Sequence, residues 1–202
     1  HNMALNFANN NSLSAITTKP SGLSGGALNL ISTQTASSSS TISFTSGIDD
    51  TYDKYVFKFY NIHPATDGVT FEFQGSTNGG STYGVTITSS VFQAYHQEND
   101  AGAGIQYATN NDLAQSTSFQ KITGDLGNQN DECGSGIVQL FNPSSTTFVK
   151  HFITRENGQQ NNEQSVNVFA AGYFNTTSAI NAVQFKMSSG NFDGVIKLYG
   201  IS

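Results

Sequence analysis

A chain of 202 residues is enough for one domain, or one domain and an arm, with about 70% of its unfolded surface buried. Its single cysteine, Cys133, excludes an intrachain disulfide, a zinc knuckle and a redox dithiol. A net charge of −6 with only 8 Lys and Arg excludes the broad basic footprint of a nucleic-acid or anionic-membrane binder.

Charged residues make up 11% of the chain, against roughly 25% in ordinary globular domains, so Ser, Thr, Asn, Gln and Gly supply the polarity. That composition is common in secreted and particle-forming β proteins. No apolar run approaches the roughly 20 residues of a membrane helix, and the start lacks the basic and apolar regions of a signal peptide. Synthesis in a cytosol without membrane insertion is the expectation. His1 and Asn2, ahead of Met3, read as residues added in front of the natural start.

In chain order, the first thirty residues, including "NFANNNSLSAITTKPSGLSGG", show no sustained period and end in a Pro-Ser-Gly turn signal. They predict an irregular N-terminal arm over 1–30, either a loose terminus or an arm that docks on a neighbour, ahead of a single β-sandwich domain over 31–202. From Leu28 the pattern turns to short strands, with "LNLIST" and "TISFTS" flanking the low-complexity "ASSSS". In "KYVFKFYNI", Tyr55, Phe57 and Phe59 share one face and only Lys58 marks the other as wet, which predicts a central strand. "VTFEFQG" alternates cleanly, with Val69, Phe71 and Phe73 toward a core and Thr70, Glu72 and Gln74 toward solvent. "STNGGSTYG" then supplies residues that tolerate positive φ in a tight hairpin turn.

Val91 to Gly136 is the least legible segment: "VFQAYH" and "GIQYAT" suit strands, and "NDLAQSTSFQKI" a short capped helix. Four strands follow in "GIVQLF", "TFVKHFIT", "SVNVFAAGYF" and "AINAVQFKMS", and "SGNFDG" turns the chain into the closing "GVIKLYGIS". Short strands at spacings of roughly 8 to 15 residues with turn chemistry between them predict an all-β antiparallel sandwich, a jelly roll in the first instance, with a single-sheet barrel as the alternative.

The chemistry-bearing residues are scattered. Gly22-Leu23-Ser24-Gly25-Gly26 fits the G-x-S-x-G pattern, but that nucleophile needs a strand before it and a helix after it, and here an arm precedes and a strand follows. His63, His96 and His151 form no HxH or HExxH pair; His63 reads as a turn residue before Pro64, and His151 as an interior or interface histidine. Asp49, Asp50 and Asp53 in "IDDTYDKY" are candidate oxygen ligands for calcium, with side-chain-capped turns as the alternative. Glu72 is the one acid on a sheet-borne polar face, and it lacks the second carboxylate of a glycosidase. No catalytic or cofactor-binding residue is assigned, and a non-enzyme without cofactor is expected. Sugar binding needs aromatic faces beside amides and carboxylates, for which Tyr83, Tyr95, Tyr107 and Tyr173 are the candidate exposed rings.

Three stretches, "LISTQTASSSSTISFTSGIDDTYDKYVFKFYNIHPATDG", "FQGSTNGGSTY" and "FNTTSAINAVQFKMSSGNFDGVIKLYGIS", resemble a loosely defined set of structural proteins of tailed bacteriophages, especially marine ones such as cyanophages. The resemblance spans most of the chain after Leu30 and is weakest over Val91 to Ser135. It implies a virion protein, either a capsid decoration or a tail- or fibre-associated part, made in the host cytoplasm. Its implied partners are other virion proteins, further copies of itself with a trimer favoured, and host surface glycans. The resemblance carries no catalytic residue over. Loops on a rigid scaffold usually carry recognition, so specificity is expected in the segment that matches least.

Overall fold

The structure, a computed structural model, describes residues 28–201. Residues 1–27 of the arm expected over 1–30, and with them the Gly22–Gly26 pattern, lie outside the described residues. Twelve strands follow in order: Asn29–Ser39 (β1), Thr41–Phe44 (β2), Lys54–Pro64 (β3), Phe71–Ser76 (β4), Ile87–Gln97 (β5), Ala103–Tyr107 (β6), Gln120–Lys121 (β7), Gly134–Phe141 (β8), Lys150–Gln160 (β9), Gln164–Phe174 (β10), Ala182–Met187 (β11) and Phe192–Ile201 (β12). The first described strand, β1, starts two residues ahead of the boundary drawn from composition.

The strands form two antiparallel sheets. The large one has 8 strands in the order β1-β12-β3-β8-β9-β10-β5-β6, and the small one 4 in the order β2-β11-β4-β7. The fold is an antiparallel β-sandwich, as the alternating pattern predicts, and its two separate sheets set the single-sheet barrel aside.

Phenylalanines hold the sheets together. Phe71 of β4 stacks on Phe185 of β11 at 5.6 Å, and Phe59 of β3 and Phe192 of β12 meet Phe71 edge-on at 5.4 Å. Phe73 meets Phe152 of β9 at 5.1 Å and 90°. Each fully buried ring contributes about 1.5–3 kcal/mol through removal from water, with about 0.5–1.5 kcal/mol more per well-placed ring pair. A second, smaller apolar cluster of Val91, Val166, Val168 and Ala170 lies at the β5 and β10 side of the large sheet.

The closing strand β12 is internal, between β1 and β3, with Ile196 and Leu198 fully buried. A bulge where Asp193 and Val195 pair with His63 and Tyr60 lets it follow β3. Gly194 sits there at φ 141°, and a Cβ on it would come 2.8 Å from Cδ1 of Ile62.

Two local expectations are corrected. "NDLAQSTSFQKI" forms no helix, and only Gln120–Lys121 is regular. The segment spends its backbone on tertiary bonds: Ile87 N donates to Ser116 O at 2.7 Å, Ser116 N to Ile87 O at 3.0 Å, and Ser89 N to Leu113 O at 2.8 Å. Its Ser, Thr and Asn residues compete poorly for helix and readily accept such pairing. The second correction concerns β4, whose polar face is covered: Thr70, Glu72 and Gln74 are all buried. The same segment covers it, and Gln74 Nε2 donates to the carbonyls of Thr117 at 3.1 Å and Ser118 at 2.9 Å.

Candidate functional surface

Alternation along the strands of the large sheet sends one set of side chains into the sandwich and the other outward. The registers align the outward residues into rows across the sheet. One row crosses every strand: Thr33, Lys197, Lys58, Ile137, Arg155, Phe169, Phe92 and Tyr107. The adjoining row runs Tyr199, Val56, Gln139, Ile153, Ala171 and Ser90. Four of the 8 Lys and Arg of the chain, Lys54, Lys58, Arg155 and Lys197, occupy this face. Between the row of Lys54 and the row of Tyr60 no Asp or Glu of the strands points outward.

These cations are held by rings. Lys58 Nζ lies 5.3 Å from the Tyr199 ring, Lys197 Nζ 5.9 Å from Tyr60, Lys54 Nζ 5.9 Å from Phe141, and the Arg155 guanidinium 5.2 Å from Phe169, which itself stacks on Phe92 at 4.8 Å. Each such contact is worth about 0.5–1 kcal/mol at an exposed site and restrains a long side chain. Among the described residues the one Lys or Arg paired with a carboxylate is Lys186, on the small sheet. Lys58 and Lys197 stand directly opposite each other in the register, where like charges repel. Exposed apolar side chains lie between and beside the cations, with Phe92 and Ile153 each 47% exposed.

Exposed carboxylates gather in two places beside this face: Asp49, Asp50 and Asp53 in the loop before β3, and a larger group at the other end of the strands. The β5–β6 turn carries Glu98 and Asp100, the β9–β10 turn Glu163, and the loop before β8 Asp125 and Asp131, all exposed. Hydrogen bonds tie these segments into one end of the sandwich: Glu98 N to Glu163 O at 3.0 Å, Asn161 N to Asp125 O at 3.3 Å, and Gln159 Nε2 to Glu98 Oε1 at 3.1 Å. Segments 97–102, 124–132 and 159–164 contain no Lys or Arg.

The four candidate tyrosines do not converge. Tyr107 and Tyr173 belong to the outer face; Tyr107 donates to Asp112 Oδ2 at 2.7 Å, which raises the phenol's pKa, and Tyr173 meets His151 edge-on at 5.8 Å. Both rings of that last pair line a shallow depression of about 570 Å³ with Phe141 and Ile153. His151 is exposed there rather than interior, because it shares the outward parity of Ile153. Tyr95 packs against the small apolar cluster beside Gly104. Tyr83 is half-buried, and its hydroxyl is enclosed without a partner.

Asp49 behaves as a turn cap. Its Oδ1 accepts from Thr51 N at 2.9 Å and from the Tyr55 hydroxyl at 3.0 Å, and these bonds lower its pKa. Among the described residues no three His, Cys, Asp or Glu side chains are placed to share a metal ion, so Asp49, Asp50 and Asp53 do not offer calcium the six to eight oxygens it takes. His63 is held by its Nδ1, 2.6 Å from the Glu132 carbonyl, and His96 by Asp100 at 3.0 Å.

Two concave features flank the loop that the sequence left unread. Glu72 lies at the floor of a cleft with Phe119, Lys121 and Lys186; burial raises its pKa, opposed by Lys186 at 3.7 Å. Next to it, a polar cleft of about 570 Å³ is lined by Gln93, Gln106, Asn110, Lys121, Asp125 and Gln164. Gln93 and Gln106 are cross-strand partners, and Gln164 Nε2 donates to Gln160 Oε1 at 2.7 Å. Comparison of the chain with family models, with curated proteins and with solved structures finds no match.

Sequence reasoning missed the outer face. Averaged over the chain the charge is negative, and the concentration of cations emerges only once Lys54 and Lys58, four apart and of the same parity on one strand, are aligned with Lys197 and Arg155 on others. The signal in the sequence is Lys58 on the second face of "KYVFKFYNI", which predicts a central strand and by itself says nothing of the cations on neighbouring strands.

Proposed function

We propose that the protein is a non-catalytic structural component of a tailed-phage particle, a capsid decoration or a tail- or fibre-associated sandwich, that ends in the virion after synthesis in the host cytoplasm. The observation that carries this reading is the outer face of the large sheet. It is a broad, continuous surface of restrained cations and exposed rings suited to docking on other particle proteins or on further copies of the chain, a trimer being favoured. The resemblance to virion proteins points the same way.

Strand order supports the finer expectation of a jelly roll. With the β5–β6 and β9–β10 hairpins set aside, the remaining strands pair first with last, second with second-last, and so on inward: β1 with β12, β2 with β11, β3 with β8 and β4 with β7. That is the order of a long hairpin rolled into two sheets.

Quantitative mass spectrometry of purified particles of the parent phage tests the assignment. A copy number comparable to that of the major capsid protein places it as a decoration, and a few copies as a tail or fibre part. Absence from the particle overturns the reading.

A second reading, recognition of a host surface glycan, is favoured by the amide-lined cleft. Each carboxamide there offers donors and an acceptor on one head, which suits sugar hydroxyls. Titration with a panel of neutral oligosaccharides, followed by amide NMR shifts of Gln93 and Gln106, separates it from the first.

A further inference from the structure

We propose that copies of this chain assemble head to side, with the cation-bearing outer face of one copy seated against the carboxylate-bearing end of the next. This deepens the assembly reading above by naming both halves of the contact. It rests on the chain's capacity to self-associate rather than on its presence in a particle.

Charge complementarity identifies the occupant. The face offers Lys54, Lys58, Arg155 and Lys197 with no outward carboxylate on the strands among them, Asp112 being held by Tyr107 at the far β6 edge, and none of these four has a carboxylate partner among the described residues. The end offers Glu98, Asp100, Asp125, Asp131 and Glu163 on three segments without Lys or Arg. Lys58 and Lys197 are held opposite each other at a cost in repulsion that an anionic partner would relieve. The rings under the cations fix their positions before contact, so less side-chain freedom remains to be lost on docking. Exposed Ile153 and, beyond Arg155, Phe92 supply apolar surface beside the charges.

The same distribution decides the symmetry class. A two-fold contact of face with face would set Lys58, Lys197 and Arg155 against their own copies. Face against end is a heterologous contact, which closes into a ring when the rotation permits. A trimer belongs to that class, and a symmetric dimer through this face does not.

The test is light scattering on the full chain after size-exclusion chromatography, at about 50 mM and about 500 mM NaCl, since the Debye length falls from over 10 Å to a few Å across that range. The expected result is an oligomer at low salt that dissociates at high salt. Lys58→Glu with Arg155→Glu, and separately Glu98→Lys with Glu163→Lys, should each give monomers, and an equimolar mixture of the two variants should recover a heterologous pair, because each retains one intact half. A chain that stays monomeric at every salt concentration overturns the proposal. So does an oligomer untouched by either variant, or one lost with the face variant and kept with the end variant. If the face variant misfolds by circular dichroism, the end variant, altered only on exposed turns, decides the matter by itself. Particle mass spectrometry fails or succeeds independently of this result.

Discussion

Within one large sheet, the strands backed by the small sheet and the strands at the β5–β6 end are stabilised differently. The backed part buries Phe57, Phe59, Phe71, Phe73, Phe152 and Phe185 in a network of ring contacts. The other part buries Val91, Val166, Val168 and Ala170 under a loop that follows β5 through Ala108, Leu113 and Ser116. Between them β9 places Thr154 and Glu156 inward, both buried, and Glu156 lies beside Val168 in the register. The difference teaches where this sandwich has stability to spare: the ring network fixes the scaffold, and the thinly packed end carries the acidic turns and the amide cleft, where loops can vary.

Truncating a ring should separate the two regions most sharply. Phe71→Ala is expected to cost about 3–5 kcal/mol and Val168→Ala about 1–2.5 kcal/mol, read from urea midpoints. Equal costs would mean that the two clusters form one core. A smaller effect probes the seam. Burial holds the Glu156 carboxyl well above the usual carboxylate range, and neither of its oxygens has a partner. In the unfolded chain this group ionises near its ordinary value of 4.5, whereas folded it keeps its proton. The folded state therefore binds the extra proton, and stability falls as pH rises above that ordinary value. Glu156→Gln removes the titration, so its advantage over the parent should be small at about pH 4 and grow by at most about 1.4 kcal/mol per pH unit as pH rises. Parallel pH profiles for the two proteins would show that Glu156 ionises freely in the fold. The smallest change is expected at Tyr83, whose enclosed hydroxyl lacks a partner. Tyr83→Phe should leave thermal stability unchanged or raise it by up to about 1 kcal/mol.

The sequence made the regular part of this molecule readable because period-two alternation is local. Phe71 and Phe73, or Val183 and Phe185, declare their face within one strand. The covering of Glu72 and Gln74 was hidden because it depends on Thr117 and Ser118, more than forty residues away and without apolar pattern of their own. The helix expected over "NDLAQSTSFQKI" failed for the same reason: its capping residues were legible, and the β5 backbone that pairs with Leu113 and Ser116 was not. The outer face required register, a relation between strands that no single strand contains. Of the tyrosines singled out, Tyr107 and Tyr173 reach that face, while Tyr83 and Tyr95 are drawn into packing.

The internal position of β12 also sets a timetable. Asn29 finds its partner in Gly200 and Phe44 in Val183, so β1 and β2 cannot pair until β11 and β12 have been made. A ribosome releases the Phe-rich β3 and β4 long before β11 and β12 arrive to flank them, and contacts of such wide sequence separation form slowly. Every newly made copy therefore passes through an interval in which its most adhesive strands wait uncovered, and its yield in a cell depends on the speed with which β12 closes the sheet.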